Sequence, residues 1–317
     1  MADPVTIIDC HYVYPQTAAA FLLGYKDEYA FIENNTTHAL PYLLKALEER
    51  GVGKEQVKYI IITHVHLDHA GATGHLAQTF PLAKVVAHPR AARHVIDPSR
   101  LIQSARQVYG DELFDKLYGQ ILPVPPDRVL IPEDRSMLYL GGVALRFFYT
   151  RGHANHHFVI FDEADQTVYT GDSFGIGYPL LQKGSFPFIY PSTTPTDFDP
   201  EEAHKSYDLI ADLKPRRVML THFGEWVDVE FGRKELHRLL LEIEEIYKDI
   251  LSRDISYEQA HSFAQAGFER LFSRELERRG IYPSDEEWKM LGIDLNINAQ
   301  GLVFSAMRQK KKNHEGP

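Results

Sequence analysis

A dense cluster of histidine and aspartate side chains constrains this chain more than any other feature of its sequence. His64, His66, Asp68 and His69 come just after the apolar run at residues 59–62, which predicts a strand buried on both faces. Imidazole and carboxylate groups are the ligands that suit zinc, iron or manganese. The cluster therefore predicts a metal site at the end of a strand, and the alternative is a polar loop whose histidines lie on the surface.

Three further candidate ligands lie at the ends of predicted strands. His153, Asp172 and His222 each follow an apolar run, and each has a glycine within two residues that lets the backbone turn. Any one of them alone is more typical of a capping or core residue than of a ligand. Together with the first cluster they complete a metal site.

The order of these segments, HxHxDH followed by GH, GD and TH, resembles the metallo-β-lactamase superfamily over residues 5–225. It is similar to members of that family that end in a helical extension. The resemblance implies an α/β fold, the four-layer αββα sandwich, that holds two divalent metal ions. It also implies the ligands of each ion: His64, His66 and His153 for one, Asp68, His69 and His222 for the other, and Asp172 as a bridge between both.

The resemblance further implies a hydrolase. One divalent ion alone lowers the pKa of a bound water from about 16 to about 7, so that a hydroxide bridging two ions attacks the substrate. The same positive centre stabilises the oxyanion that forms. Asp68 and Asp172 are the catalytic candidates. We expect an ester, thioester or lactone as the small-molecule substrate, and zinc as the metal, with iron or manganese as alternatives.

Other functions stay open for the same ligands. A phosphodiesterase would use the same chemistry on a phosphoryl group. An iron-dependent oxidoreductase or sensor that handles dioxygen is an alternative of a different class, but His66 stands where flavodiiron members of the family place a carboxylate. No cysteine is among the seven ligands, which removes a signature of the lactamases that use one.

Aromatic residues crowd the segment that follows the predicted bridging ligand. Phe174, Tyr178 and Tyr190 lie in a predicted loop at residues 174–195. Their proximity to the ligand predicts that they bind substrate, with a phenol offered to an oxyanion. The alternative is that these rings pack beneath the C-terminal helices. His157 is a further candidate that could line the substrate pocket or orient a metal ligand, and the alternative is an ordinary surface or packing role.

The charge balance argues against a polyanionic partner. The chain has 34 lysine and arginine residues against 44 aspartate and glutamate residues, a formal net charge of −10. Because phosphate neutralisation dominates nucleic-acid binding, we expect no nucleic-acid partner. Cys10 is the single cysteine and suits a reducing compartment. With no basic leader and no apolar run near the roughly 20 residues of a spanning helix, the sequence predicts a cytoplasmic protein without a membrane partner.

Two parts are predicted along the chain, a catalytic domain at residues 1–231 and a helical extension at residues 232–317. The extension should contain helices that begin near Gly232, at the Ser256 capping box, at the Ser284 capping box and after Gly292. The apolar faces of these helices must be covered. We therefore expect the extension to pack on the catalytic domain, with a homodimer through the C-terminal helices as the alternative.

Overall fold

The chain divides into two compact units, each of which contains a different part of the predicted architecture. This computed structural model describes residues 3–193 and 197–315. The first unit comprises Met1–Tyr149, His156–Gly171 and Lys214–Val227, and the second comprises Thr150–Asn155, Asp172–Leu213 and Asp228–Pro317. The domain boundary that we expect at residue 231 stays a prediction.

The first unit contains two six-stranded sheets. The first sheet has the order β1-β2-β3-β4-β5-β6, and the second has the order β12-β11-β10-β9-β8-β7. The strands are β1 Val5–Asp9, β2 Ala19–Tyr25, β3 Glu28–Ile32, β4 Val57–Ile61, β5 Lys84–Val86, β6 Val129–Leu130, β7 Met137–Leu140, β8 Val143–Thr150, β9 His157–Asp162, β10 Thr167–Gly171, β11 Arg217–Leu220 and β12 Gly224–Trp226.

Side chains of the first sheet alternate between two apolar cores. Phe31 and Ile60 face a core that also contains residues of the helices of this unit. Ile32 and Ile61 face the other core, to which the second sheet contributes residues such as Phe147. Since successive side chains of a strand point to opposite faces, a continuous apolar run serves a sheet that is covered on both sides.

Parallel strands bring the ends of candidate ligand segments together within the first unit. β3 and β4 run parallel, so that the residues after Ile32 and Ile61 lie side by side. β10 and β11 also run parallel, and Gly171 pairs with Leu220 at their ends. The polar segments that follow these strands therefore begin at a shared edge of each sheet.

Ten α-helices occur among the described residues, and no helix there is both long and apolar enough to cross a membrane. Those of the first unit are α1 Leu40–Glu49, α2 Leu67–Ala70, α3 Thr73–Thr79, α4 Pro89–Ile96, α5 Ser99–Tyr109 and α6 Asp111–Tyr118. Those of the second unit are α7 Pro200–Asp212, α8 Val229–Ser252, α9 Tyr257–Arg279 and α10 Asp285–Glu315. The capping boxes predicted at Ser256 and Ser284 are confirmed.

One prediction about the extension is wrong. α10 runs from Asp285 to Glu315 through Gly292, after which a separate helix was expected to begin. A single glycine inside a helix costs only about 1 kcal/mol relative to alanine. Leu291 and Leu295, on either side of the glycine, are buried. Their burial outweighs that cost and keeps the helix continuous.

The aromatic loop of the second unit, residues 174–190, packs against α9 and α10. The Phe272 ring of α9 lies 5.3 Å from the ring of Phe188 and 4.7 Å from that of Tyr190, between centroids. The Tyr190 hydroxyl donates to Asp294 Oδ2 of α10 at 3.2 Å. The predicted loop extends to residues 194 and 195, which lie outside the described residues. These contacts match the alternative in which the rings pack beneath the C-terminal helices.

Candidate metal centre

The ligand segment at residues 64–69 turns directly into α2, and the residues after β3 hold this turn in place. The backbone N–H groups of Asn34 and Asn35 donate to the His69 carbonyl at 2.9 and 3.1 Å. The Asn35 side chain donates to the carbonyl of Asp68 at 2.7 Å. The neighbouring ends of β3 and β4 therefore fix the backbone that carries the candidate ligands.

Three potential ligand atoms of the first unit lie close together. Asp68 Oδ2 lies 3.6 Å from His69 Nε2 and 3.4 Å from His222 Nε2. One potential ligand atom from each residue lies within 4.8 Å of the other two. Nitrogen and oxygen lone pairs at this spacing fit one divalent cation.

The second ring nitrogen of each imidazole in this group has its own partner. His69 Nδ1 lies 3.4 Å from Glu33 Oε2, and His222 Nδ1 donates to the Thr17 carbonyl at 2.6 Å. A proton on Nδ1 leaves the lone pair on Nε2, the atom that faces Asp68. This is the arrangement by which proteins orient imidazole ligands of metals. The contacts of both Nδ1 atoms thus agree with a metal site on the Nε2 side.

His64 and His66 form a second group in the same unit. Their Nε2 and Nδ1 atoms lie 2.6 Å apart. Thr63 Oγ1 lies 3.0 Å from His64 Nδ1, so that the hydroxyl holds the ring from behind and leaves His64 Nε2 as the candidate coordinating atom. His64 is completely buried, which restricts its ring to this orientation.

His153 and Asp172, the two candidate ligands in the second unit, lie next to each other. Their Nε2 and Oδ2 atoms are 3.4 Å apart. Ser192 Oγ lies 3.2 Å from His153 Nδ1 and 3.4 Å from Asp172 Oδ2. The preceding Gly152 has a φ of +97°, and a Cβ there would collide with the backbone of Ala203 in α7. Only glycine allows the turn to pass so close to that helix.

His157 begins β9 in the first unit and is completely buried. Its ring lies 4.8 Å from that of His64 in a stacked arrangement. Gly171 has a φ of +50°, and a Cβ there would meet both Thr63 Oγ1 and His157 Nε2. His157 therefore lies behind a candidate ligand, and its predicted contact with substrate stays a prediction.

Phe174, Tyr178 and Tyr190, the other predicted substrate-binding residues, are buried. Burial raises the pKa of Tyr178 and Tyr190, and the charge of Asp294 raises both further, so that both phenols stay neutral. The Phe174 ring packs against the ring of Tyr207 in α7, with 6.3 Å between the ring centroids. Their predicted role at the substrate stays a prediction.

The sequence interpretation missed the groups that hold the imidazoles from behind, Glu33, Thr17 and Ser192. Glu33 is buried although its side chain is a carboxyl group. A charged residue directly after a strongly apolar strand was the available signal, because such a group needs a polar partner when it is buried. Thr17 acts through its backbone carbonyl, which no side-chain pattern can reveal.

Comparisons with known proteins agree with this geometry. The family model described as the metallo-beta-lactamase superfamily matches residues 25–222. The chain is 30% identical over 174 residues to a "metallo-beta-lactamase fold-containing protein ST1585" of Sulfurisphaera tokodaii, which covers 54% of this chain and 62% of that relative. The chain thus matches less than two thirds of that relative's length.

Solved structures show the same fold. The crystal structure of ST1585, an archaeal metallo-beta-lactamase superfamily protein from Sulfolobus tokodaii, has a TM-score of 0.66 at 21% identity and covers 95% of this chain and 99% of that one. For the metallo-beta-lactamase family protein TTHA1429 from Thermus thermophilus the TM-score is 0.64 at 21% identity, with coverage of 97% and 94%. The predicted αββα fold class with a helical extension is confirmed.

Proposed function

This chain belongs to the metallo-beta-lactamase superfamily, and on that premise we propose that it is a dinuclear metal-dependent hydrolase. The observation that carries the proposal is the convergence of Asp68 Oδ2 with the Nε2 atoms of His69 and His222. Family membership and this cluster support a metal-dependent hydrolase in general. The proposal adds a second ion and a substrate with an ester, thioester or lactone bond.

For the two ions we propose the ligand sets of the family. When bound, the ions would supply a water of lowered pKa as the nucleophile and a Lewis acid for the substrate's carbonyl oxygen. Donors of nitrogen and oxygen without sulfur suit zinc, with iron and manganese as alternatives. The proposed sets are His64, His66 and His153 for one ion, Asp68, His69 and His222 for the other, and Asp172 for both.

Asp68 has a second task in this proposal. Its side chain is 24% exposed, whereas that of His69 is fully buried. A carboxylate in contact with both the ligands and solvent can accept a proton from the attacking water and deliver it to the leaving oxygen or sulfur. The contacts of His69 Nδ1 with Glu33 and of His222 Nδ1 with the Thr17 carbonyl would orient both rings so that their Nε2 atoms face the ion.

We propose a small molecule as the substrate. The formal net charge of −10 repels a polyanion, so that nucleic acid is an unfavourable partner at physiological salt. The matched structural relatives are similar in fold alone and leave the substrate to experiment.

The variant Asp172→Ala tests the proposal. We expect the unaltered protein to hold two metal ions per chain and to hydrolyse members of an ester, thioester and lactone panel. In the variant, metal content should fall and hydrolysis should drop by more than about a hundredfold, since loss of outer partners of ligands alone costs about 10- to 100-fold. Asp27→Ala, at an exposed position, is the matched control and should change neither value.

Other outcomes would assign the site differently. Two ions retained in Asp172→Ala with full activity would remove this carboxylate from the site. Cleavage of bis(p-nitrophenyl) phosphate by a protein that leaves the whole carbonyl panel intact would indicate a phosphodiesterase. Oxygen uptake by an iron-loaded protein that hydrolyses none of these compounds would indicate an oxidoreductase or sensor.

A further inference from the structure

A polar side chain is buried on the apolar face of α10 in the second unit. Asn298 is buried together with Leu295 and Leu302, its neighbours along that face of the helix. Burying an amide costs free energy unless hydrogen bonds within the protein replace those to water. The groups that bond to Asn298 therefore indicate what the residue does.

Asn298 bonds to Thr193, a completely buried residue of the segment at residues 190–193. The Thr193 backbone N–H donates to Asn298 Oδ1 at 2.7 Å. Thr193 Oγ1 lies 2.9 Å from both Oδ1 and the carbonyl oxygen of Asn298. Asn298 Nδ2 donates to the carbonyl of Asp294, one turn earlier in α10, at 2.9 Å. This last bond fixes the amide so that its oxygen faces Thr193.

α10 holds the same segment at a second point. The hydroxyl of Tyr190 donates to Asp294 Oδ2 at 3.2 Å. The backbone of Tyr190 also pairs with that of Ile176, with N–H to carbonyl bonds of 2.8 and 3.0 Å in the two directions. Ile176 follows the candidate ligand Asp172 by four residues. The segment is therefore bonded to α10 on both sides of Ser192 and is joined to the turn after Asp172.

Ser192, between these two bonding points, contacts both candidate ligands of the second unit. Its Oγ lies 3.2 Å from His153 Nδ1 and 3.4 Å from Asp172 Oδ2. A hydroxyl can accept one hydrogen bond and donate another. When His153 Nδ1 donates to Ser192, the lone pair of His153 is on Nε2, the atom that faces Asp172. A displacement of Ser192 would therefore change the setting of the imidazole and of the carboxylate together.

We propose that Asn298 is a positioning residue, which through Thr193 and Ser192 fixes the orientation of His153 and Asp172 for metal binding. The proposal rests on the proposed function, in which these two residues are ligands. It gives the helical extension a task at the metal centre although the extension supplies no ligand of its own. Loss of a hydrogen-bonding partner behind a metal ligand costs about 10- to 100-fold in metal affinity.

Zinc affinity and the spectrum of bound cobalt test the proposal. Competition with a chromogenic chelator measures the affinity for zinc, and the visible absorption of the Co²⁺-loaded protein reports the geometry of the ligands. Asn298→Ala should weaken zinc binding about tenfold, the lower end of the usual range, because Asn298 acts from beyond Ser192. The cobalt spectrum should change as well. Asn296→Ala is the same substitution about 200° around the same helix, and as the control it should change neither value.

A double-mutant cycle shows whether Asn298 acts through Ser192. Ser192→Ala should weaken zinc binding about 10- to 100-fold. Addition of Asn298→Ala should then weaken it little further, because the connection is already broken, whereas a general loosening of the second unit would add the two losses. Thr193→Val keeps the shape of that side chain and covers the case in which Asn298→Ala fails to fold. It should weaken zinc binding in the same direction, since the segment loses its hydroxyl contact with α10.

Unchanged zinc affinity and an unchanged cobalt spectrum in Asn298→Ala would overturn the positioning role and leave the proposed function intact. Additive losses in the cycle would overturn it too, as would full zinc affinity in Thr193→Val. Failure of the unaltered protein to bind zinc would overturn the proposed function and the positioning role together.

Discussion

The two units each bury a polar cluster, and the clusters are built on opposite principles. In the first unit, Asp68 Oδ2 faces the Nε2 atoms of His69 and His222, and each of these groups offers a lone pair. In the second unit, the buried Arg279 guanidinium meets the carboxylates of Glu235 and Glu275. The first cluster presents donors to a cation, whereas the second already contains its cations.

The second cluster is completed by its own chain. Arg279 Nη2 lies 2.5 Å from Glu235 Oε2, and Arg238 Nη2 lies 2.7 Å from Glu275 Oε2. Arg279 Nε also donates to the Pro187 carbonyl at 3.1 Å, and its guanidinium packs 4.4 Å from the centroid of the Phe188 ring. The stability of the first unit should therefore depend on metal ions in solution, whereas that of the second should depend on ion pairs within the chain.

The largest effect is expected when the second cluster loses its central cation. Arg279→Met leaves Glu235 and Glu275 buried with fewer partners, and breaking a buried pair from one side costs about 3–5 kcal/mol. Chemical denaturation measures this loss in the free energy of unfolding. Arg278→Met is the control, because that residue is 47% exposed and should cost less than about 1 kcal/mol. Equal losses in both variants would contradict the comparison.

The next largest effect is a gain in stability when metal is added to the first cluster. Zinc at 100 times its dissociation constant should raise the free energy of unfolding by about 2.7 kcal/mol for each ion bound, because it binds only the folded chain. Denaturation with and without zinc measures the increment. Asp68→Ala should remove the increment of the ion that Asp68 would hold, whereas Arg279→Met should retain the full increment. An increment of the same size in Asp68→Ala would show that the ion binds elsewhere.

A smaller loss of stability is expected at low pH. Burial opposes ionisation of Glu275, but the guanidiniums of Arg238 and Arg279 outweigh it and lower its pKa from 4.5 to about 2. Because the folded pKa is lowered, the stabilisation is complete above about pH 4.5 and is lost as the pH falls towards 2. We expect a loss of about 1–2 kcal/mol, reduced by solvent screening. The stability of Glu275→Gln should depend less steeply on pH than that of the unaltered protein. Identical slopes in the two proteins would show that Glu275 is not the source of the acid sensitivity.

The smallest effect on stability is expected at a pair of histidines on α7 and α8. The pair contains imidazoles, as the first cluster does, and has an acidic partner from its own unit, as the second cluster does. His204 Nδ1 and His237 Nδ1 are 2.5 Å apart, and Glu244 Oε1 lies 3.2 Å from His204 Nε2. Burial and then the charge of His237 lower the pKa of His204 below 6.5. The stabilisation is therefore present above about pH 6.5 and declines as the pH falls. Melting temperatures from pH 7.5 to 5.5 should fall less in His204→Gln, and equal declines would contradict this.

The candidate ligands were predictable because each follows an apolar run that marks a strand, and strand ends meet at an edge of a sheet. Glu33 was not predicted, although it touches His69 Nδ1. Its partner lies beyond a helix and another strand, and no local period links the two residues. Contacts of this kind depend on which strands are neighbours, which hydrophobic periodicity alone does not determine.

The aromatic loop was hard to interpret for a related reason. A run of rings beside a ligand fits a substrate pocket and fits a core equally well, because both bury apolar surface. What decides is the partner, and Phe272 of α9 lies far along the chain from Tyr190. At Gly292 the local signal predicted that a new helix begins, but α10 continues through this residue. The burial of Leu291 and Leu295 outweighs the helix-breaking tendency of the glycine.

The contacts of the aromatic loop also set an order of events during synthesis. Tyr190 leaves the ribosome 104 residues before Asp294, the residue that accepts its hydroxyl proton in a hydrogen bond. At about 5–20 residues per second, the interval is about 5–20 s. Throughout that interval the loop that begins beside Asp172 lacks the last helix that covers it. The hydrogen bond between Tyr190 and Asp294 therefore forms only after α10 has been made, when the chain is almost complete.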